Sequence, residues 1–332
     1  MSQELELGLD TFGDVTVDDD GRPVPQPQVI RNVMREAVLA DELGLDFFGV
    51  GEHHREDFAV SAPEVVLAGI AGQTSRIRLG SAVTVLSSDD PIRVYQRFAT
   101  LDAVSGGRAE VILGRGSFVE SFPLFGYDLA DYERLFEEKL EKFAGLRTER
   151  TVFPSMESGP LRAWVGVGGS PESVIRAARY GLPLMLAIIG GEPLRFAPLV
   201  DLYDRALKEF GQPPQLLGAH SPGYVAGTDE DARDEYWPHY KAMHDRIGAE
   251  RGWPPMTRAQ FDAGTGPNGA LFVGSPETVA AKIVRVTHGL GLDRFDLKYS
   301  AGTLPHEQMM STIELYGTKV APLVREQLSR TS

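Results

Sequence analysis

DFFGVGEHH at Asp46 to His54, RIRLGSAVTVLS at Arg76 to Ser87 and GGRAEVILGRGS at Gly106 to Ser117 decide how this chain reads. Each is a short apolar run that ends in polar or glycine residues. Helically spaced segments, Pro63 to Gln73 and Pro91 to Leu101, lie between them. The order is strand, helix, strand, helix, strand, and runs this apolar suit strands covered on both faces of a parallel sheet. Polar residues collect at one end of each run: Glu52, His53 and His54, then Ser87 and Ser88, then Arg115 and Ser117. In a parallel α/β fold those carboxyl ends open on one face, where sites are built.

The alternation extends in both directions. LELGLD (Leu5 to Asp10) predicts a first strand, and Val29 to Leu43 a helix stopped by Gly44. The intervening Thr11 to Gln28, rich in Asp and Pro, reads as a loop. Downstream, strands are expected at Leu161 to Val167, Leu182 to Ile189 and Leu216 to Ala226, with helices at Tyr132 to Phe143, Val174 to Tyr180 and Leu199 to Phe210. From Thr228 to Thr265 the pattern lapses into a helix plus an irregular excursion carrying Trp237, Tyr240 and Trp253, an insertion of the kind that forms lids or interfaces. FVGSPETVAAKI (Phe272 to Ile283) predicts a helix with Ser275 as N-cap and Pro276 first inside it. Arg294 to Gly302 is the last strand and Ser311 to Gln327 a closing helix. Eight strand–helix units without a composition break predict an α/β fold, a (β/α)8 TIM barrel with an insertion after strand 7, as one domain over residues 1–332. An open doubly wound sheet has the same periodicity.

A chain of 332 residues, 42% apolar, can bury a barrel-sized core. Its formal net charge of −14 argues against a general nucleic-acid or anionic-membrane binder, which needs a basic face. With no cysteine there is neither a disulfide nor a thiolate site. MSQELELGLD has no basic start or long apolar core, and no run reaches membrane-spanning length, so a soluble cytoplasmic protein is expected.

GGSPES sits where a strand turns into a helix. Its residues make either an ordinary Ser-Pro helix start or an anion site, with amides of Gly168, Gly169 and Ser170 and the hydroxyls of Ser170 and Ser173 as donors. Arg115 is either a loop salt-bridge partner or a fork for a phosphate. Adjacent side chains on an extended segment point opposite ways, so His53 and His54 cannot readily chelate one metal, and no metal site is expected. One of the two faces the mouth; the other reading is a His satisfied by backbone or by Glu52. Glu52 itself is expected to be tied to a neighbouring polar group. A phosphosugar barrel is a further alternative, for which Lys298 is the one strand-end lysine.

GEHH, LGSAVTVLSSDDPIRVYQRFATLDAVSGGR, ILGRGS, VGVGGSPESVIRAARYGLPLML and FVGSPETVAAKI, in this order, resemble the bacterial luciferase-like flavin-dependent oxidoreductases. The resemblance implies a monooxygenase that uses reduced FMN and O2 on a small organic substrate. Coenzyme F420 with hydride transfer, or a non-catalytic flavin-binding barrel, are the alternatives within it. It implies the FMN phosphate on Gly168, Gly169, Ser170 and Ser173, assisted by Arg115. His53 becomes the mouth-facing imidazole, catalytic together with Arg115. Ser81, Ala82 and Val83 lie against the flavin ring, with a cis peptide between Ala82 and Val83. NAD(P)H or a partner flavin reductase would supply reduced flavin, and a homodimer would form through the helices at Pro63 and Pro91. Thr11, Phe12, Phe118, Phe122 and the insertion would read the substrate. Where the luciferases proper carry a cysteine, this chain has Gly114, which is expected to leave more space and speaks against light emission.

Overall fold

Eight parallel strands close on themselves in the computed structural model, which describes residues 4–18, 20–116, 118–147 and 151–331. Ser117 lies outside the described residues. The order begins β1 (Glu6–Thr11), α1 (Gln26–Glu42), β2 (Phe47–Val50), α2 (Pro63–Ala71), β3 (Arg78–Val85), α3 (Pro91–Ser105) and β4 (Ala109–Gly114). Then come α4 (Ser121–Leu124), α5 (Tyr132–Leu146), β5 (Arg162–Val167), α6 (Pro171–Arg179), β6 (Leu184–Ala187), α7 (Ala197–Glu209) and β7 (Leu217–Val225). The remainder is α8 (Asp229–Arg251), α9 (Arg258–Thr265), β8 (Phe272–Gly274), α10 (Pro276–Leu290), β9 (Arg294–Lys298), α11 (His306–Leu315) and α12 (Ala321–Thr331). Neighbours run β1 to β7 in sequence, β6 pairs with β7, and β9 bridges β7 and β1. That closure rules out the doubly wound sheet.

Two apolar layers result. Leu7 and Leu9 of β1, with Leu5 just before it, pack outward on the helices, as do Phe48 and Val50 of β2. Inward positions form a smaller cluster of Phe47, Ala82, Ile112, Trp164 and Met185. The amino-terminal end of the barrel is closed by charge. Arg294, fully buried, lies between the rings of Phe47 and Trp164, 4.4 and 4.6 Å from their centroids, and pairs with Glu6 and Glu110. Trp164 Nε1 donates to Glu110 Oε2 at 2.7 Å. Burial would raise the Glu110 carboxyl, but Arg294, then Arg78 and Arg162, outweigh it and hold it down at about 2. With this end filled among the described residues, the carboxyl end is the barrel end left for a ligand.

Three expectations need correction. Phe272–Gly274 is a short strand, β8, paired with Gly223–Val225 of β7 beyond the barrel ladder; the helix starts after it, with Ser275 capping Thr278 N and Pro276 at its first turn. The 228–265 stretch is no irregular excursion but two helices, α8 running 23 residues straight through Pro238. The aromatic residues that suggested irregularity supply its packing: Tyr236 stacks between Tyr224 and Tyr240 at 5.4 Å. The closing helix begins earlier, at His306, and is interrupted by a π-turn at Tyr316–Val320, where Gly317 lets the backbone meet Leu43.

Candidate active site

Small residues make the floor of the mouth. A Cβ added to Gly49 would lie 2.8 Å from the Ala82 methyl, and one added to Gly166 would lie 3.2 Å from Val83 Cγ1. The Ala82–Val83 peptide is cis, as the resemblance implied. Ala187 ends β6 half-buried, and Ile189, just past it, is 59% exposed. A floor of such small residues leaves room for a planar ring. The extra space expected at Gly114 is absent, because a Cβ there would meet Val83 Cγ2 at 2.5 Å: the valine occupies it. Ser81 is directed away from the mouth, its hydroxyl 2.8 Å from Thr84 Oγ1 and 3.4 Å from the Ile112 carbonyl.

The two histidines diverge. His54 Nε2 lies 2.8 Å from Glu52 Oε1, and Glu52 Oε2 accepts from Val85 N at 2.9 Å, so Glu52 ties the β2 loop to β3. That hydrogen bond raises the His54 imidazole above its ordinary value against the effect of burial. His53 sits among rings instead, stacked on Phe58 at 4.3 Å and edge-on to Phe12 and Phe118 at 5.0 and 5.1 Å. Its Nδ1 faces Glu120 Oε1 at 3.9 Å, leaving Nε2 for the mouth. Burial raises the Glu120 carboxyl, but His53 outweighs it and leaves that group below its ordinary value. Phe12 and Phe118 thus stand at the mouth. Thr11, 1% exposed and bonded to Ser300 Oγ at 2.9 Å, does not, and Phe122 is a buried anchor against Tyr127 and Tyr132.

Gly168 and Gly169 lead into α6, and nothing lies within 4 Å of a Cβ built on either. Gly169 has φ +126°, a conformation an L-residue rarely adopts. Ser170 caps the helix, accepting from Ser173 N at 3.3 Å and lying 2.8 Å from Glu172 Oε2. Ser173 Oγ is buried without a partner, and so is Arg176 Nη1 one turn further on. Arg115, at the end of β4, pairs with the half-exposed Glu133, whose other oxygen lies 2.9 Å from Arg176 Nη2. A carboxylate therefore bridges two guanidiniums beside a helix N-terminus. This donor set, with two orphaned polar atoms, fits a phosphate dianion. Arg176 was not foreseen, although its place on the first turns of the GGSPES helix is the signal.

Helix α8 crosses this end of the barrel. Glu250 forks onto Arg55 at 2.5 and 2.7 Å, Arg246 pairs with Glu56 at 2.8 Å, and His239 Nδ1 is 2.8 Å from Thr303 Oγ1. Arg251 lies over the Phe118 ring at 4.9 Å. Lys298 is 4% exposed, its ammonium 3.1 Å from Asp14 Oδ2 and bonded to Ser300, so it is no free amine. A second unforeseen pair, Asp10 and His220, faces inward from β1 and β7 with Oδ2 and Nδ1 2.7 Å apart. Its signal is an alternation of Glu6, Gly8 and Asp10 between leucines, a polar interior row.

Known proteins of similar sequence and shape agree with this architecture. The chain is 26% identical over 224 residues to the alkanal monooxygenase alpha chain of Photorhabdus luminescens, covering 62% of this chain and 61% of that one. It is 30% identical over 215 residues to N-acetyl-S-alkylcysteine monooxygenase of Bacillus subtilis, covering 58% and 63%. The match therefore spans about three fifths of the length of each relative. Three solved structures share the fold. Monooxygenase RslO1 from Streptomyces bottropensis has TM-score 0.81 at 23% identity, covering 96% of this chain and 99% of that one. The oxygenating constituent of 3,6-diketocamphane monooxygenase from Pseudomonas putida, solved with FMN, has TM-score 0.74 at 18% identity (96% and 98%). An F420-dependent secondary alcohol dehydrogenase, solved with an F420–acetone adduct, has 0.73 at 14% (97% and 99%). The model of the luciferase-like monooxygenases matches residues 11–294, and the chain belongs to that family.

Proposed function

We propose that this protein is a flavin-dependent monooxygenase that holds reduced FMN in the barrel mouth and uses O2 to oxidise a small organic substrate. The observation that carries this reading is the pairing of a small-residue floor at Gly49, Ala82 and Gly166 with orphaned donors at Ser173 and Arg176. When bound, the flavin supplies the two-electron redox chemistry. The chain's own residues bind, orient and protonate. Gly168, Gly169, Ser170, Ser173, Arg115 and Arg176 hold the phosphate, Glu133 giving way to it. Ala82 and Val83 support the ring. His53, its Nδ1 toward Glu120, presents Nε2 to donate or accept a proton beside the reacting atoms. Phe12, Phe58 and Phe118 exclude water there, and α8 acts as the lid.

The family relatives support oxygenation of thioether or aldehyde substrates, so the test uses those classes. Photoreduced FMN, protein and 18O2 are combined with a long-chain aldehyde or an N-acetylated S-alkylcysteine. Label in the oxidised product is expected; unlabelled substrate with every candidate contradicts oxygenation. The F420 alternative, favoured by the shape shared with an F420 enzyme, predicts anaerobic hydride transfer from reduced F420 instead. A non-catalytic flavin carrier predicts that His53→Asn leaves turnover unchanged with flavin still bound. Reduced flavin comes from NAD(P)H directly or from a partner reductase. A homodimer in the cytoplasm completes the reading: Val65 on α2 and Val104 on α3 are 71% and 54% exposed on neighbouring helices. Among the described residues no helix is long and apolar enough to cross a membrane.

A further inference from the structure

We propose that Asp10 and His220 form a second acid–base pair in the mouth, with His220 Nε2 accepting the proton of a hydroxyl or N–H group on the substrate. The inference rests on the mouth being the substrate site, as argued above. Asp10 is next to last in β1, and His220, the fourth of nine residues in β7, pairs in register with Ala187, the last residue of β6. Asp10 is 1% exposed and the His220 side chain 13%.

With Asp10 as a carboxylate, the 2.7 Å contact selects one tautomer of His220. An ionised carboxylate only accepts, so the proton between Oδ2 and Nδ1 belongs to the imidazole and the lone pair lies on Nε2. Asp296 is a third inward carboxyl beside the pair. It pairs in register with His220, its Oδ1 is buried without a partner, and it fills the hollow left by Gly8, where a Cβ would lie 2.1 Å from that oxygen. Burial, then the neighbouring carboxylates, push the Asp296 carboxyl far up despite Arg294. With Asp296 pushed toward its neutral form, the pair that the proposal uses is Asp10 and His220, joined at 2.7 Å.

His220 does not duplicate His53. The Phe12 ring stands between them, 5.0 Å from one imidazole and 6.3 Å from the other, and their Nδ1 atoms face different carboxylates. In the proposed step the substrate O–H or N–H bond breaks, its proton goes to Nε2, and the electron pair stays on the substrate heteroatom. The substrate is thereby made more electron-rich at the moment of oxidation, and the proton leaves to solvent with product.

The test begins on flavin-free protein. Imidazole nitrogen–proton correlation NMR on 15N-histidine-labelled chain, with His220 assigned from the missing signal of His220→Gln, is expected to give the Nδ1–H tautomer. Asp10→Asn is expected to abolish that preference. A neutral Nε2–H tautomer in the native chain overturns the proposal. The second arm is turnover by the flavin-loaded enzyme: His220→Gln should lower kcat about 100-fold or more, with FMN affinity within twofold of native. Unchanged kcat with flavin bound overturns it as well. Failure of the native chain to bind any flavin would instead sink the preceding reading and leave the tautomer result standing.

Discussion

Replacing Arg115 with methionine removes one cation from the proposed phosphate site at α6 and keeps most of the side-chain volume. In the native chain its guanidinium pairs with Glu133, the two side chains 25% and 55% exposed, and lies 5.5 Å from the Tyr132 ring. A pair that wet contributes at most about 1 kcal/mol to folding, so Arg115→Met should unfold near the native midpoint. Toward a phosphate the same guanidinium makes charge-assisted hydrogen bonds worth about 1.5–3 kcal/mol, which is roughly a 10- to 150-fold loss of affinity. Fluorescence-quenching titrations with FMN and with riboflavin separate this effect from damage to the ring site. FMN affinity should fall by that factor and riboflavin affinity should hold. Equal losses for the two ligands would refute the assignment of the phosphate to this corner. Glu133→Gln runs the experiment in reverse: freeing Arg115 of its carboxylate, with Arg176 still held by Glu137 at 2.5 Å, should tighten FMN several-fold.

Gly114→Cys should destabilise the chain by about 1–3 kcal/mol through overpacking against Val83, read as a lower urea midpoint, and Val83→Ala in the same chain should recover part of it. Glu110→Gln leaves the buried Arg294 guanidinium undercompensated and should cost about 3–5 kcal/mol, checked by denaturant unfolding. Because the Glu110 carboxyl is depressed when folded, native stability from this group is present above its ordinary value of 4.5 and is lost as pH falls toward about 2. Glu110→Gln should flatten that acid limb. His54 is raised when folded, so its contribution is full below its ordinary value of 6.5 and is lost as pH rises through the folded value. The stability difference between native and His54→Gln chains should shrink across that rise.

Strand and helix order was legible because the outward faces are uniformly apolar, which fixed all eight barrel strands. The interior was less so. Glu6, Gly8, Asp10, Glu110 and Arg294 alternate with those apolar residues, and a polar row reads as surface until closure shows that it faces a mate across the barrel. Periodicity reports burial on one side and not the partner, so the alternation around Asp10 could not name His220, 210 residues away, as its mate. Lone strand β8 was missed because three residues cannot establish a period of two. In the candidate site, GGSPES stood out as a motif, and the cis peptide was implied by the family resemblance. Arg176 lay in view on the same helix but matters only because its Nη1 is left without a partner in the folded chain.

Crystals of the protein grown with FMN read the cofactor's position outright. Phosphate oxygens are expected within hydrogen-bond reach of Ser173 Oγ, Arg115 and the Gly169–Ser170 amides, with Glu133 displaced and the ring against Ala82 and Val83. Flavin bound elsewhere, or a mouth filled by side chains at saturating FMN, would contradict that placement.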